Sequence, residues 1–122
     1  MKLFVATDIH GSAYYAERVV EKFKQSGADL LVLLGDVYNH GPRNPFPKDY
    51  APMRVAELLN SVSSKVLAIQ GNCDSEVDSM ISDFTFVKNN VLPLGNRKLF
   101  LTHGHVYNKD NLPALACGDV IM

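Results

Sequence analysis

The chain has 122 residues, 47% of them apolar and 20% charged, with a formal net charge of −1. That length is one domain's worth, and the composition excludes disorder, which needs low hydrophobicity with high net charge. With 12 Lys and Arg against 13 Asp and Glu, no basic surplus points to nucleic acid or an anionic membrane surface.

The segment Lys2 to Thr7 is a short apolar run that predicts a strand, interrupted by Asp8-Ile9-His10-Gly11. Ala13, Ala16, Val19, Val20 and Phe23 then recur at helical spacing. Ser12 suits the N-cap of that helix and Gly27 its stop. Leu30 to Leu34 is wholly apolar between Asp29 and Gly35-Asp36, the pattern of a parallel strand buried on both faces. Val37 to Ala51 has no period and carries Pro42, Pro45 and Pro47. An unstructured stretch of that length inside a compact domain predicts a functional loop. Pro52 opens a helix running through Asn60.

Lys65 to Ile69 is a third strand, ending at Gly71-Asn72-Cys73-Asp74. A short helix is expected from Ser75 to about Ser82, with Ser75 and Asp78 forming a capping box. Phe84 to Val87 and Val91 to Leu94 read as extended. Gly95-Asn96 is a two-residue hairpin turn signal, and Arg97 to Thr102 is the returning strand, ended by His103-Gly104-His105. Leu112 to Ala116 predicts a helical turn, and Asp119 to Met122 the opening of a further strand. This order gives a single α/β domain over residues 1–122. Right-handed crossovers in such a sheet put the strand C-termini on one edge, outside which ligands bind.

Two cysteines, Cys73 and Cys117, make no disulfide framework, and Cys117 is expected to be structural. The apolar opening is too short for a signal-peptide core, and no run reaches the length of a membrane span. The expectation is a cytoplasmic protein with reduced thiols.

Asp8 and His10 follow the first strand, Asp36 the second, Asn72 the third and His103 the hairpin strand. Any one such Asp is most often a cap or turn residue. Together they place carboxylate, amide and imidazole donors on one inferred edge. That donor set suits divalent first-row metals such as Mn²⁺, Fe²⁺ or Zn²⁺. Two such ions roughly 3.5–4 Å apart form the clamp used in phosphoryl displacement.

Asp8-x-His10, Gly35-Asp36, Gly71-Asn72-Cys73-Asp74 and His103-Gly104-His105, in this order, resemble the calcineurin-like metallophosphoesterase family. The flanking residues resemble its small bacterial phosphodiesterases. The resemblance implies an α-β-β-α sandwich and hydrolysis of a phosphodiester by water activated at a dinuclear site. It implies two divalent cations, manganese first, with iron or zinc the alternatives. Asp8 and His10 would hold one ion, Asn72 and His103 the other, and Asp36 would bridge. Asn72, Cys73 and His105 would serve catalysis, His105 by orienting His103 or touching phosphate. Cys73 stands where many members have His; a thiol is a weak donor, so poorer help for a poor leaving group is expected. A covalent role for Cys73 is not expected. His40 and Arg43 on the long loop would contact a substrate phosphate.

The family's later Gly-His-x-His is not found in these 122 residues, so the expectation is a C-terminally incomplete domain with a shortened second sheet. The expected partner is a small-molecule phosphodiester, with no membrane; a homo-oligomer would cover the sheet's apolar surface. The alternative is a non-catalytic remnant or interaction module that keeps the fold.

Overall fold

Successive side chains of a strand point to opposite faces, and in an apolar run both faces must then be covered. In the computed structural model, which describes all of residues 1–122, β1 (Leu3–Ala6), β2 (Leu30–Leu33), β3 (Val66–Ile69) and β4 (Phe86–Val87) form a parallel sheet in that order. Leu31 and Leu33 face α1 (Ala13–Ser26) and α2 (Pro52–Asn60), meeting Ala16, Val20, Phe23, Val55 and Leu59. Val32 faces the other way with Ile69, against Leu99 and Leu101 of a second sheet. The wholly apolar run is therefore buried on both sides, as its composition requires. Each fully buried side chain of this size contributes about 1.5–3 kcal/mol.

The second sheet has the order β5 (Asn90–Leu94), β6 (Arg97–Leu101), β7 (Val120–Ile121). Leu94 pairs with Arg97 across Gly95-Asn96, so the two-residue turn closes the hairpin as expected. The returning chain adds β7 parallel to β6, so the further strand expected from Asp119 forms and extends the hairpin to three strands. Three of the four expected layers are seen in these residues: helices, parallel sheet and mixed sheet. On the outer face of β6 no helix lies; Phe100 is instead covered edge-on by Tyr107, with ring centroids 5.4 Å apart.

Local chemistry sets the element ends. The Ser12 hydroxyl accepts from the Tyr15 N–H at the start of α1, and Gly27 ends it in the left-handed conformation at φ 65°. Ser75 and Asp78 form the reciprocal capping box on α3 (Glu76–Met80). The expected helical turn from Leu112 to Ala116 does not form. The Ala116 N–H that would close it donates to the Asp119 carboxylate at 2.9 Å. The same carboxylate accepts from the Lys98 N–H at 2.7 Å. The bonds from Ala116 and Lys98 hold Asp119 below the usual carboxylate range.

The loop after β2 is anchored to α3 by a short relay. The Ser82 hydroxyl donates to the Asp78 carbonyl at 2.8 Å, so the buried Tyr38 phenol donates to Ser82 Oγ at 2.7 Å. Burial, ahead of any other cause, pushes the Tyr38 phenol from 10 up to about 12. An unfolded Tyr ionises near 10, so between these values the folded chain keeps a proton that the unfolded chain has lost. The Tyr38 contribution to stability is thus complete below pH 10 and is lost as pH rises toward 12. Tyr38→Phe is expected to flatten the fall in stability measured by urea denaturation between pH 9.5 and 11. Equal slopes for the two proteins would contradict the assignment.

Candidate functional site

The loops leaving β1, β2, β3 and β6 meet at one edge, and backbone bonds lock the first two together. The N–H groups of Asp8, His10 and Gly11 donate to the carbonyls of Gly35, Asp36 and Val37 at 3.1, 2.8 and 2.8 Å. The loops after β2 and β3 are tied by Asp74. Its carboxylate accepts from the Asp36, Val37 and Gly71 N–H groups at 2.7, 2.9 and 2.7 Å. The contact leaves no room for side chains: a Cβ on Gly71 would sit 2.2 Å from Asp36 Oδ1, and one on Gly35 only 2.6 Å from the Gly71 Cα. Asp8, His10 and Asp36 hold φ of 57°, 51° and 55°. L-residues in that region cost of order 1–3 kcal/mol each and persist only where surrounding contacts over-determine them.

Five of the expected residues are brought together here. His10 Nε2 lies 3.3 Å from Asp8 Oδ1 and 3.7 Å from Asp36 Oδ2. His103 Nε2 lies 3.4 Å from the same Asp36 oxygen and 2.9 Å from Asn72 Oδ1. The other Asp36 oxygen accepts from the Cys73 N–H at 2.8 Å. Each imidazole is oriented from behind. His10 Nδ1 meets the Asn39 carbonyl at 2.7 Å, and His103 Nδ1 meets the Leu34 carbonyl at 2.6 Å. A carbonyl only accepts, so Nδ1 carries the proton in each ring and a neutral ring turns the Nε2 lone pair inward. Lone pairs of two imidazoles, two carboxylates and an amide oxygen then face one another across 2.9 to 3.7 Å. Acceptors packed on acceptors lack a donor, and a divalent cation is a group that would satisfy all of them. Asp8, Asp36 and His103 form one possible ligand group, and His10, Asp36 and Cys73 another, each with donor atoms within 4.8 Å.

These residues line a cleft of about 690 Å³, whose lining also includes Arg43, Asn44 and Cys73. Burial, then the neighbouring Asp36 charge, pushes the Cys73 thiol up, consistent with a non-nucleophilic thiol. One expected residue lies elsewhere. His40 turns from the cleft and stacks on Phe46, with centroids 4.3 Å apart, and edge-on to Tyr50. It belongs to an aromatic cluster that stiffens the loop. His105 lines the adjoining cleft beside Asn72, its ring 5.4 Å from that of His103 between centroids, while the Leu34 carbonyl meets His103 Nδ1 from behind.

Sequence reasoning missed Asp74, Asn39 and Leu34 as positioning residues. Asp74 carried a signal, as a carboxylate two residues beyond Asn72 in a turn full of backbone donors. The other two act through main-chain carbonyls, which no residue type announces.

The profile of the calcineurin-like phosphoesterase family matches residues 1–120. Phosphodiesterase YfcE of Escherichia coli is 56% identical over 124 residues, spanning all of this chain and 67% of that protein. The solved structure of E. coli YfcE, a phosphoesterase, superposes with a TM-score of 0.94 at 55% identity, covering 98% of this chain and 66% of the other. The chain thus has the metallophosphoesterase fold and spans about two thirds of the length of these relatives. A conserved uncharacterised protein of Streptococcus pneumoniae, a predicted phosphoesterase, shares the fold at a TM-score of 0.52 and 21% identity, over 89% of this chain and 48% of its own.

Because three N–H groups converge on Asp74, Asp74→Ala should destabilise the chain by about 3 kcal/mol or more, since each buried donor left unpaired costs about 1–3 kcal/mol. Urea denaturation of the two proteins measures this directly. A difference within about 0.5 kcal/mol, the range of neutral surface changes, would show that the carboxylate does not hold the loops.

Proposed function

The chain belongs to the calcineurin-like phosphoesterase family, and from that membership and the geometry of the cleft we propose that it is a metal-dependent phosphodiesterase. The observation that carries the reading is the inward-facing ring of acceptors, above all His103 Nε2 against Asn72 Oδ1 and Asp36 Oδ2. Asp8 and His10 would hold one divalent cation and Asn72 and His103 a second, with Asp36 placed to serve both. Manganese is the proposed ion, with iron and zinc the alternatives, and the cytoplasm the proposed compartment. Bound cations of this kind supply Lewis acidity and activated water for phosphoryl displacement.

The protein side of the reaction follows from what each group can do. The carbonyls of Asn39 and Leu34 fix the imidazole tautomers, so no proton shift is needed to present Nε2. The Cys73 N–H fixes the rotation of Asp36 and leaves one oxygen facing both imidazoles. Arg43, in the cleft wall and without an ion-pair partner in the chain, offers a planar fork to the non-bridging phosphate oxygens. Cys73 sits where a stronger acid would assist a departing alkoxide, so esters with good leaving groups should be turned over best. A small-molecule phosphodiester is the substrate class; the relative's name carries the same chemistry. The rival reading, a non-catalytic interaction module, has no feature of the cleft in its favour.

Chain stripped by chelation and reloaded with Mn²⁺ is expected to hydrolyse bis(4-nitrophenyl) phosphate faster than 4-nitrophenyl phosphate. Asp36→Asn and His103→Ala should each lower kcat/KM for the diester by at least about 100-fold, beyond the 10–100-fold typical of residues that only orient ligands. Metal-independent turnover, or variants as active as the parent, would overturn the reading.

A further inference from the structure

A phosphodiester carries two substituents, and the first cleft accounts for one. On the other side of Asn72 lies a second cleft of about 560 Å³. It lies between the β4–β5 connection at Lys88 and Asn89 and the segment after β6 at His105 and Tyr107. Asn72 is the residue that lines both clefts. A phosphorus atom held beside Asn72 and His103 therefore has a recess on either side.

The walls of the second cleft define what fits. Lys88, Asn89, His105 and Tyr107 line it with donor groups that make no hydrogen bond or ion pair within the chain. The one carboxylate in the lining is Asp74, and both its oxygens are already occupied by backbone N–H groups. The recess thus presents a cation and neutral donors with no free carboxylate. That composition favours an anion and disfavours a cationic substituent.

Resting on the phosphodiesterase reading above, we propose that the Lys88–His105 cleft is a subsite for the second substituent of the diester and selects one that carries its own negative charge, a carboxylate or a further phosphate. The substrate would then be an anion at two points, the scissile phosphate at Asn72 and the substituent at Lys88. Lys88 is a specificity-determining residue in this scheme. It acts on which diester is used, not on the reacting atoms.

The test compares two chromogenic diesters that share a 4-nitrophenol leaving group, bis(4-nitrophenyl) phosphate and 4-carboxyphenyl 4-nitrophenyl phosphate, with Mn²⁺-loaded protein. The readout is the ratio of kcat/KM for the carboxylate-bearing diester to that for the uncharged one. Lys88→Gln should lower this ratio about 2- to 5-fold, the worth of one exposed charge pair, and Lys88→Glu about 5- to 20-fold. The effect should shrink as salt is raised. A ratio unmoved by both Lys88 variants, or moved by Arg43→Gln instead, would overturn the subsite while leaving the phosphodiesterase reading intact. If neither diester is hydrolysed, that reading fails and binding decides the subsite: bis(4-carboxyphenyl) phosphate titrated into Zn²⁺-loaded protein should shift the amide resonances of Lys88, Asn89 and Tyr107, and Lys88→Glu should abolish the shifts. Absence of those shifts in the parent protein would likewise overturn it.

Discussion

One carboxylate holds the working edge of this molecule together. Asp74 gathers the N–H groups of Asp36, Val37 and Gly71, donors from two loops that leave neighbouring parallel strands. Buried N–H groups without partners cost about 1–3 kcal/mol each, so the loops are held in register by a penalty avoided as much as by bonds formed. That register puts the Cys73 N–H on one oxygen of Asp36 and leaves the other between His10 and His103. Asp36 is 3% exposed, and burying a charge without a counter-charge is expensive. The loop geometry therefore creates a demand for positive charge at the point where the imidazole lone pairs also converge.

The sheets make this affordable. Val32 and Ile69 on one face and Leu31, Leu33 and Ala68 on the other lock β2 and β3 between two covers. Loops springing from so rigid a platform can hold Asp8, His10 and Asp36 in the left-handed region, where a solvent-exposed turn would relax. The small size of Gly35 and Gly71 is part of the same device, since any side chain there would part the loops. Strain, close glycine contact and the converging acceptors thus occur together at this edge.

Much of this was legible because local chemistry and burial agreed. The apolar run at Leu30–Leu33, the caps at Ser12 and Ser75, the start at Pro52 and the turn at Gly95-Asn96 each form as their residue types dictate. The clustering of Asp8, His10, Asp36 and Asn72 followed from topology, since parallel strands deliver their C-terminal ends to one edge, and His103 joins them from the end of β6 in the second sheet. What was not legible depended on partners distant in sequence. The Ala116 N–H could have closed a helical turn, but Asp119, pinned through Lys98, is the better acceptor. His40 is near the cleft in sequence, yet Phe46 and Tyr50 offer its ring a larger contact than a solvated cleft does. The parallel pairing of β7 with β6 needs a long return connection, which no short-range pattern encodes.

Charge is arranged here by position, not by amount. A net charge of −1 gives the chain almost no long-range field. At the working edge, however, acceptors occupy the centre and donors the rim. Asp8, Asp36, Asn72 and the two Nε2 lone pairs lie inside, while Arg43 stands on one side and Lys88 on the other. A site of acceptors alone would hold cations and repel a phosphate, and one of donors alone would bind phosphate without activating water. With the acceptors innermost, cations held there would offset them, and a phosphate ester would then meet positive charge at the centre and donors on both rims. Asn72, which lines both clefts, stands where the two arms of a diester would part. The same nesting explains why the composition as a whole looks unremarkable: the function resides in the order of the shells and is invisible to the sum.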